Sequence, residues 1–217
     1  MEYNNWVKTN PPIINTIENY YNENIDFIEE FKNGFNIEYK PKVIFWNDRK
    51  KNDYFKQQLQ EAFLFENYIA EKIKFDFDLD IEPFLTSEGQ YELGENALGI
   101  EIKNDKLIKK YGNIYVEYQE KADAKGYLYV DSGILKNDNT KYFLIGDYDE
   151  FFIARKSVLL NIYYEELANE KNNIPSKRGV EFKVKPTSKG IVIPVKKNAD
   201  IFISFELMMN EIISEKQ

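Results

Sequence analysis

Cysteine and histidine are both missing from this chain of 217 residues. Without cysteine there is no disulfide, no thiolate nucleophile and no cysteine-ligated zinc, and without histidine the usual general base and imidazole ligand are gone. Catalysis is thereby confined to carboxylate, lysine, tyrosine and hydroxyl chemistry. Any metal site must be built from oxygen donors, which suit a hard cation such as Mg²⁺ or Mn²⁺. Also lacking is an apolar run long enough to cross a bilayer, and Met1-Glu2-Tyr3-Asn4-Asn5 has neither the basic nor the apolar part of a signal peptide. The expectation is a cytoplasmic protein with no membrane partner.

Positive charge is in short supply. Lysine and arginine number 29 against 37 acids, a net charge of −8 that argues against indiscriminate coating of nucleic acid. Its distribution is uneven: between Lys171 and Lys197 eight basic residues stand against Glu181 alone. That segment reads either as a solvated face or as a phosphate-tracking surface, with Lys183, Lys185 and Lys189 as its candidate DNA contacts.

What is present is material for a dense core. With 43% of residues hydrophobic and 16% aromatic, the charged 30% belongs on the surface of a folded protein and does not signal disorder. The length suits one domain spanning 1–217. Its parts are an N-terminal helical extension (1–53), a core (54–155), and C-terminal helices with a hairpin (156–217).

After Pro11-Pro12, apolar spacing through Ile13, Ile17, Tyr20, Tyr21, Ile25 and Ile28 predicts a helix that ends near Gly34, and Val43 to Trp46 reads as a short strand. A second helix is predicted from about Tyr54 to Ile73. Its stripe of Leu59, Ala62, Phe63, Ile69, Ala70 and Ile73 places Glu66 on the inward face. The alternation from Lys74 to Ile81 fits strand or loop. Gly99 to Lys103 and Ile114 to Lys121 read as strands, expected to form an antiparallel pair. Tyr142 to Gly146 and Phe151 to Ala154 are apolar enough for a sheet interior, and the intervening Asp147, Asp149 and Glu150 are assigned to turn chemistry. A helix from Lys156 to Ala168, a hairpin of Val180 to Lys185 with Gly190 to Val195, and a helix from Phe202 to Ile213 complete the pattern.

Side chains two apart on a strand share a face, so Glu101 goes with Lys103, and Glu117 with Tyr115, Gln119 and Lys121. If the two strands pair about Lys109, Glu101 and Glu117 face each other. Two like charges so placed repel unless a proton or cation lies between them. A divalent ion held by both would polarise a phosphoryl oxygen and acidify a bound water without histidine, Glu66 could add a third oxygen, and Lys121 or Lys103 could offset charge in the transition state. The same spacing also fits an ordinary half-exposed hairpin decorated with Glu and Lys.

The run Gly99-Ile100-Glu101-Ile102-Lys103-Asn104-Asp105 with Tyr111-Gly112-Asn113-Ile114-Tyr115-Val116-Glu117 resembles the active-site hairpin of PD-(D/E)xK nucleases, the restriction-endonuclease-like superfamily. The resemblance covers Phe63 to Ala154 and is nearest to small nuclease-like proteins of phages and bacteria. It implies an α/β fold, a restriction-endonuclease-like mixed β-sheet flanked by helices, together with Mg²⁺ (or Mn²⁺) dependence and hydrolysis of DNA. By the same resemblance Glu101 and Glu117 take the places of the metal-binding acids, and Glu66 that of the helical acid. The chain departs from the pattern where Ile100-Glu101 replaces Pro-Asp and where Gln119 stands in place of the lysine after Glu117. Lys121, on the same face, is then the candidate catalytic lysine. A shifted register takes Glu101-Ile102-Lys103 as the Glu-x-Lys element, with the first acid supplied upstream by Glu92 or Glu95; the first register is preferred because it uses both strands and leaves no unexplained acid on the second.

Three functions compete. The first is a metal-dependent endonuclease acting on DNA in a phage, mobile-element or restriction setting, with double-strand cutting favouring a homodimer. The second is a catalytically inactive nuclease-fold protein that binds DNA or a protein partner, which the Glu-x-Gln departure allows. The third is an acidic DNA-mimic inhibitor, motivated by the net charge and opposed by the basic segment.

Overall fold

A computed structural model describes residues 53–81, 94–122 and 124–216. The predicted first helix, the Val43 to Trp46 strand and Glu92 lie outside them. The described elements form a mixed α/β fold: two four-stranded sheets with helices packed against them.

Helix α1 (Asp53–Phe77) is longer than the spacing predicts. Its inward face runs through Phe65, Ile69 and Ile73, all fully buried, each contributing about 2 kcal/mol of transfer free energy. The stripe therefore passes through Phe65, not Phe63. Lys74 to Phe77, whose alternation fits a strand, is helical. Pairs four apart stabilise it there, Lys72 with Asp76 at 2.7 Å and Lys74 with Asp78 at 3.0 Å.

Strand β1 (Ile100–Asn104) leads through the short helix α2 (Ile108–Tyr111) to β2 (Asn113–Glu120), followed by β3 (Val130–Asp131). Then come β4 (Tyr142–Gly146) and β5 (Phe151–Arg155), α3 (Lys156–Lys171), β6 (Glu181–Val184), β7 (Ser188–Pro194), β8 (Phe202–Ile203) and α4 (Phe205–Glu215). The last predicted helix thus begins later, after a strand. The two-sheet order is β1-β4-β5-β8 and β3-β2-β7-β6.

This order corrects the expected pairing of β1 with β2. Instead β1 runs parallel to β4, with Glu101 beside Phe143 and Lys103 beside Ile145, while β2 runs antiparallel to β7. The cause is burial. Every residue of β4 is buried, as in a central strand, so β4 needs partners on both edges and takes β1 and β5. The connection through α2 allows β1 and β2 to join different sheets.

Alternation on β4 sorts the core into two layers. Tyr142 and Leu144 join Ile100, the α1 stripe, Met208, Met209 and Ile212. Phe143 and Ile145 face the other way, into a cluster with Ile114, Val116, Ile191, Ile193 and the α3 residues Leu159 and Ile162. The first sheet thus lies between α1 with α4 on one side and the second sheet with α3 on the other. Among the described residues no helix is long and apolar enough to cross a membrane.

Candidate active-site cleft

With Ile100 committed to the helix side, the period of two turns Glu101 and Lys103 toward the second sheet. On β2, burial of Ile114 and Val116 leaves Tyr115 and Glu117 on the opposite face. All four side chains line one open cleft of about 1050 Å³, beside Glu61, Asp105, Lys106, Lys183, Lys185 and Ser188. Glu101 and Glu117 therefore line one cleft from two different sheets and are not partners within a hairpin.

Glu101 is buried, 6% exposed, and Lys103 Nζ lies 2.8 Å from its Oε1. The Glu101 carboxylate holds the Lys103 ammonium well above the ordinary lysine range, against partial desolvation, with further attraction from Glu117 and Glu95. Lys103 is thus the ion-pair partner of Glu101. Glu117 is fixed from another direction, by the Ser132 hydroxyl, which donates to its Oε1 at 2.6 Å. Ser132 sits at the entry to the helical turn Gly133–Leu135. Gly133 has φ +49°, and a Cβ there would lie 2.2 Å from the Glu117 carbonyl oxygen, so the close approach requires glycine.

The opposite wall is aromatic and basic. Tyr115 lies across β7, where a Cβ on Gly190 would come within 2.4 Å of its ring, and its hydroxyl meets Ser188 Oγ at 2.9 Å. Lys185 Nζ rests 3.2 Å from the centre of the same ring. Burial draws its ammonium below the ordinary lysine range, with Lys183 pushing the same way and Asp105 and Glu117 opposing.

The remaining predicted site residues lie elsewhere. Glu66 does not line the cleft: it is half-buried beside the Phe65, Ile69 and Ile73 face, and the cleft is reached from the helix by Gln58 and Glu61. The helical acid that does reach the cleft is Glu61, paired with Lys106 at 2.9 Å. Gln119 bonds Asp131 and Lys189, at 3.1 Å in each case. Lys121 donates to the carbonyls of Ala124 and Gly126 at 2.9 Å, and Lys189 lies over Tyr129, so neither amine is in the cleft. The lysines that do line it are Lys103, Lys106, Lys183 and Lys185. Asp147 behaves as turn chemistry requires, its Oδ1 accepting from the backbone N–H of Asp149 and of Glu150.

Sequence reasoning missed Ser132, Gly133 and Glu61. The Ser-Gly pair was a legible turn signal, but nothing in the spacing ties it to a strand residue fifteen positions earlier.

Among the described residues no group of three or more acids is placed to hold a metal ion, and the acids that line the cleft are Glu61, Glu101, Asp105, Glu117 and Glu181. Two carboxylates suit Mg²⁺, which keeps several waters and is commonly bound by one or two acids together with phosphate oxygens. No family model matches the chain, and no curated protein or solved structure matches it significantly.

Proposed function

We propose that the cleft binds nucleic acid and hydrolyses its phosphodiester bonds with a hard divalent cation held between Glu101 and Glu117, in a restriction-endonuclease-like core. The observation that carries the reading is the convergence of a buried Glu101, its partner Lys103 and the Ser132-fixed Glu117 in one cleft walled by Lys183 and Lys185. When bound, Mg²⁺ or Mn²⁺ would supply Lewis-acid polarisation of a phosphoryl oxygen.

The chain's own residues do the rest. Lys103, which a bound cation would free from Glu101, then stabilises the negative charge that builds on the phosphoryl oxygens. Lys183 and Lys185 hold the flanking phosphates, Lys185 from its seat on the Tyr115 ring. Ser132 orients Glu117 and touches no substrate. This reading combines the two registers legible in the sequence: Glu101-Ile102-Lys103 serves as the Glu-x-Lys element of the second, Glu117 of the first supplies the other acid in place of Glu92 or Glu95, and Lys121 stays outside the chemistry.

Supercoiled plasmid incubated with the protein and Mn²⁺ or Mg²⁺ tests the activity. Nicking or linearisation that disappears in EDTA and in Glu101→Gln is expected. A wild-type chain that binds Mn²⁺ yet leaves plasmid and single-stranded DNA intact would turn the assignment to a second reading, a nuclease-fold protein that binds DNA without cutting. That reading draws on the lack of a three-acid cluster among the described residues.

A further inference from the structure

Lys103 reaches Glu101 from two residues along the same strand face, and the two ends of that ion pair see different surroundings. The Glu101 side chain is 8% exposed, whereas that of Lys103 is 51% exposed. A carboxylate so buried needs a cation beside it, because its charge costs far more unpaired than paired. The ammonium has no such need. Its four-carbon stem is flexible, and water can take the place of the carboxylate for a group already half in solvent. A second ion pair in the lining, Lys106 with Glu61 at 2.9 Å, differs in this respect: its acid is 24% exposed and depends less on its partner.

The charge of the whole cleft gives this asymmetry a consequence. Its five acids stand against four lysines, so the lining by itself carries a formal charge of −1 and disfavours phosphate. One divalent cation reverses the sign. Lys103 Nζ would share a carboxylate oxygen with any cation held by Glu101, and the two positive charges repel. The displaced ammonium stays tethered to the cleft face of β1, where it joins Lys183 and Lys185 in facing a bound phosphate.

We propose that Lys103 is an exchangeable counterion of Glu101: it holds the carboxylate until a divalent cation displaces it, and the exchange makes cation and nucleic-acid phosphate strengthen each other's binding. The inference rests on the proposed role of Glu101 in holding the ion. By linkage the factor is the same in both directions, so each can be measured without cleavage.

Titration calorimetry of the full chain with Mn²⁺ alone reads the first direction. Lys103→Met, which keeps the stem and removes the charge, should bind Mn²⁺ about tenfold more tightly than the wild type, a factor within the usual range of coupling between sites. Lys103→Arg should gain nothing, and Lys106→Met, at the more exposed pair, far less. Without Mn²⁺, Lys103→Met should melt below the wild type, and Mn²⁺ should restore it. The second direction is read on the wild type by anisotropy of a fluorescein-labelled oligothymidylate of about 12 nucleotides. Binding should be about tenfold tighter in Ca²⁺ than in EDTA, although free divalent ions otherwise screen phosphate contacts, and Lys103→Met should show a smaller gain.

Mn²⁺ binding by Lys103→Met no tighter than by the wild type overturns the proposal, as does oligothymidylate binding that Ca²⁺ leaves unchanged or weakens. If Lys103→Met does not fold without metal, the wild-type comparison of Ca²⁺ with EDTA decides alone. Both effects in a chain that never cuts plasmid keep the exchange and remove the proposed hydrolysis. Cleavage by a wild type that shows neither effect does the reverse.

Discussion

The Ser132 hydroxyl donates to the Glu117 carboxylate at 2.6 Å, and the backbone at Gly133 lies against the Glu117 carbonyl with no room for a side chain. A short hydrogen bond to an ionised oxygen fixes the direction in which its remaining lone pairs point. Removing such a support from a metal-binding carboxylate costs about tenfold in affinity or more. Ser132→Ala should therefore weaken Mn²⁺ binding by about that factor in titration calorimetry while leaving the fold intact. Unchanged affinity would mean that Glu117 takes no part in holding the ion.

Lys103 and Lys121 are separated by the same experiment on different variants. Lys103→Ala should slow single-turnover cleavage about a hundredfold or more, as loss of a group that stabilises transition-state charge does. Lys121→Ala should leave the rate on duplex DNA near that of the wild type, because its ammonium is occupied by Ala124 and Gly126. The reverse order would move the chemistry to the far end of β2.

Lys185 makes binding depend on pH. Since burial lowers its pKa, it loses its proton before ordinary lysines do, and a phosphate bound beside it restores the charge. Affinity for DNA should fall as pH rises through that lowered value, with proton uptake on binding, and Lys185→Arg should flatten the step. The free protein shows the opposite trend. In the window between the lowered and the ordinary lysine pKa the unfolded chain binds more protons, so the Lys185 contribution to stability rises with pH there. Calorimetry in buffers of different ionisation enthalpy reads the uptake, and its absence would place Lys185 away from the bound phosphate.

A buried ion pair sets a stability prediction outside the cleft. Lys156 Nζ donates to Asp138 Oδ1 at 2.8 Å and to the Lys136 carbonyl, and the Asp138 side chain is 1% exposed. Burial alone would raise the Asp138 pKa, but the Lys156 hydrogen bond and the Thr140 N–H outweigh it and keep the carboxyl below its ordinary range. Asp138→Ala should cost about 3 kcal/mol by leaving Lys156 buried and unpaired. The native contribution is present above the ordinary aspartate pKa and is lost as pH falls through the lowered folded value. Urea unfolding of both proteins at neutral and acid pH checks the size and the sign, and a cost that persists unchanged in acid would contradict the pairing.

Much of the fold was legible in the residues. The strands at Gly99 to Lys103, Ile114 to Lys121, Tyr142 to Gly146 and Phe151 to Ala154 fall within a residue or so of their observed bounds, because apolar alternation and flanking Asn and Gly residues define them locally. Pairing was not legible, since it depends on which strand most needs burial on both edges, and β4 draws β1 into its own sheet. The face shared by Glu101 and Lys103 survived that change because the period of two holds whichever neighbour a strand takes. The lysine assignment did not follow from parity. Lys121 shares a strand face with Glu117, yet it stands past the register shift between Glu117 and Gln119, where its amine meets the carbonyls of the next loop. Glu66 misled because a place near the inward face does not by itself reach the cleft, which α1 lines with Gln58 and Glu61, more than a turn earlier.

Crystals soaked in Mn²⁺ and measured for anomalous scattering test the central claim most directly. The account predicts one peak per chain, bounded by the carboxylates of Glu101 and Glu117 and lost in Glu117→Gln, with the Lys103 amine displaced from Glu101. A peak elsewhere, or none at a concentration that supports cleavage, would contradict it.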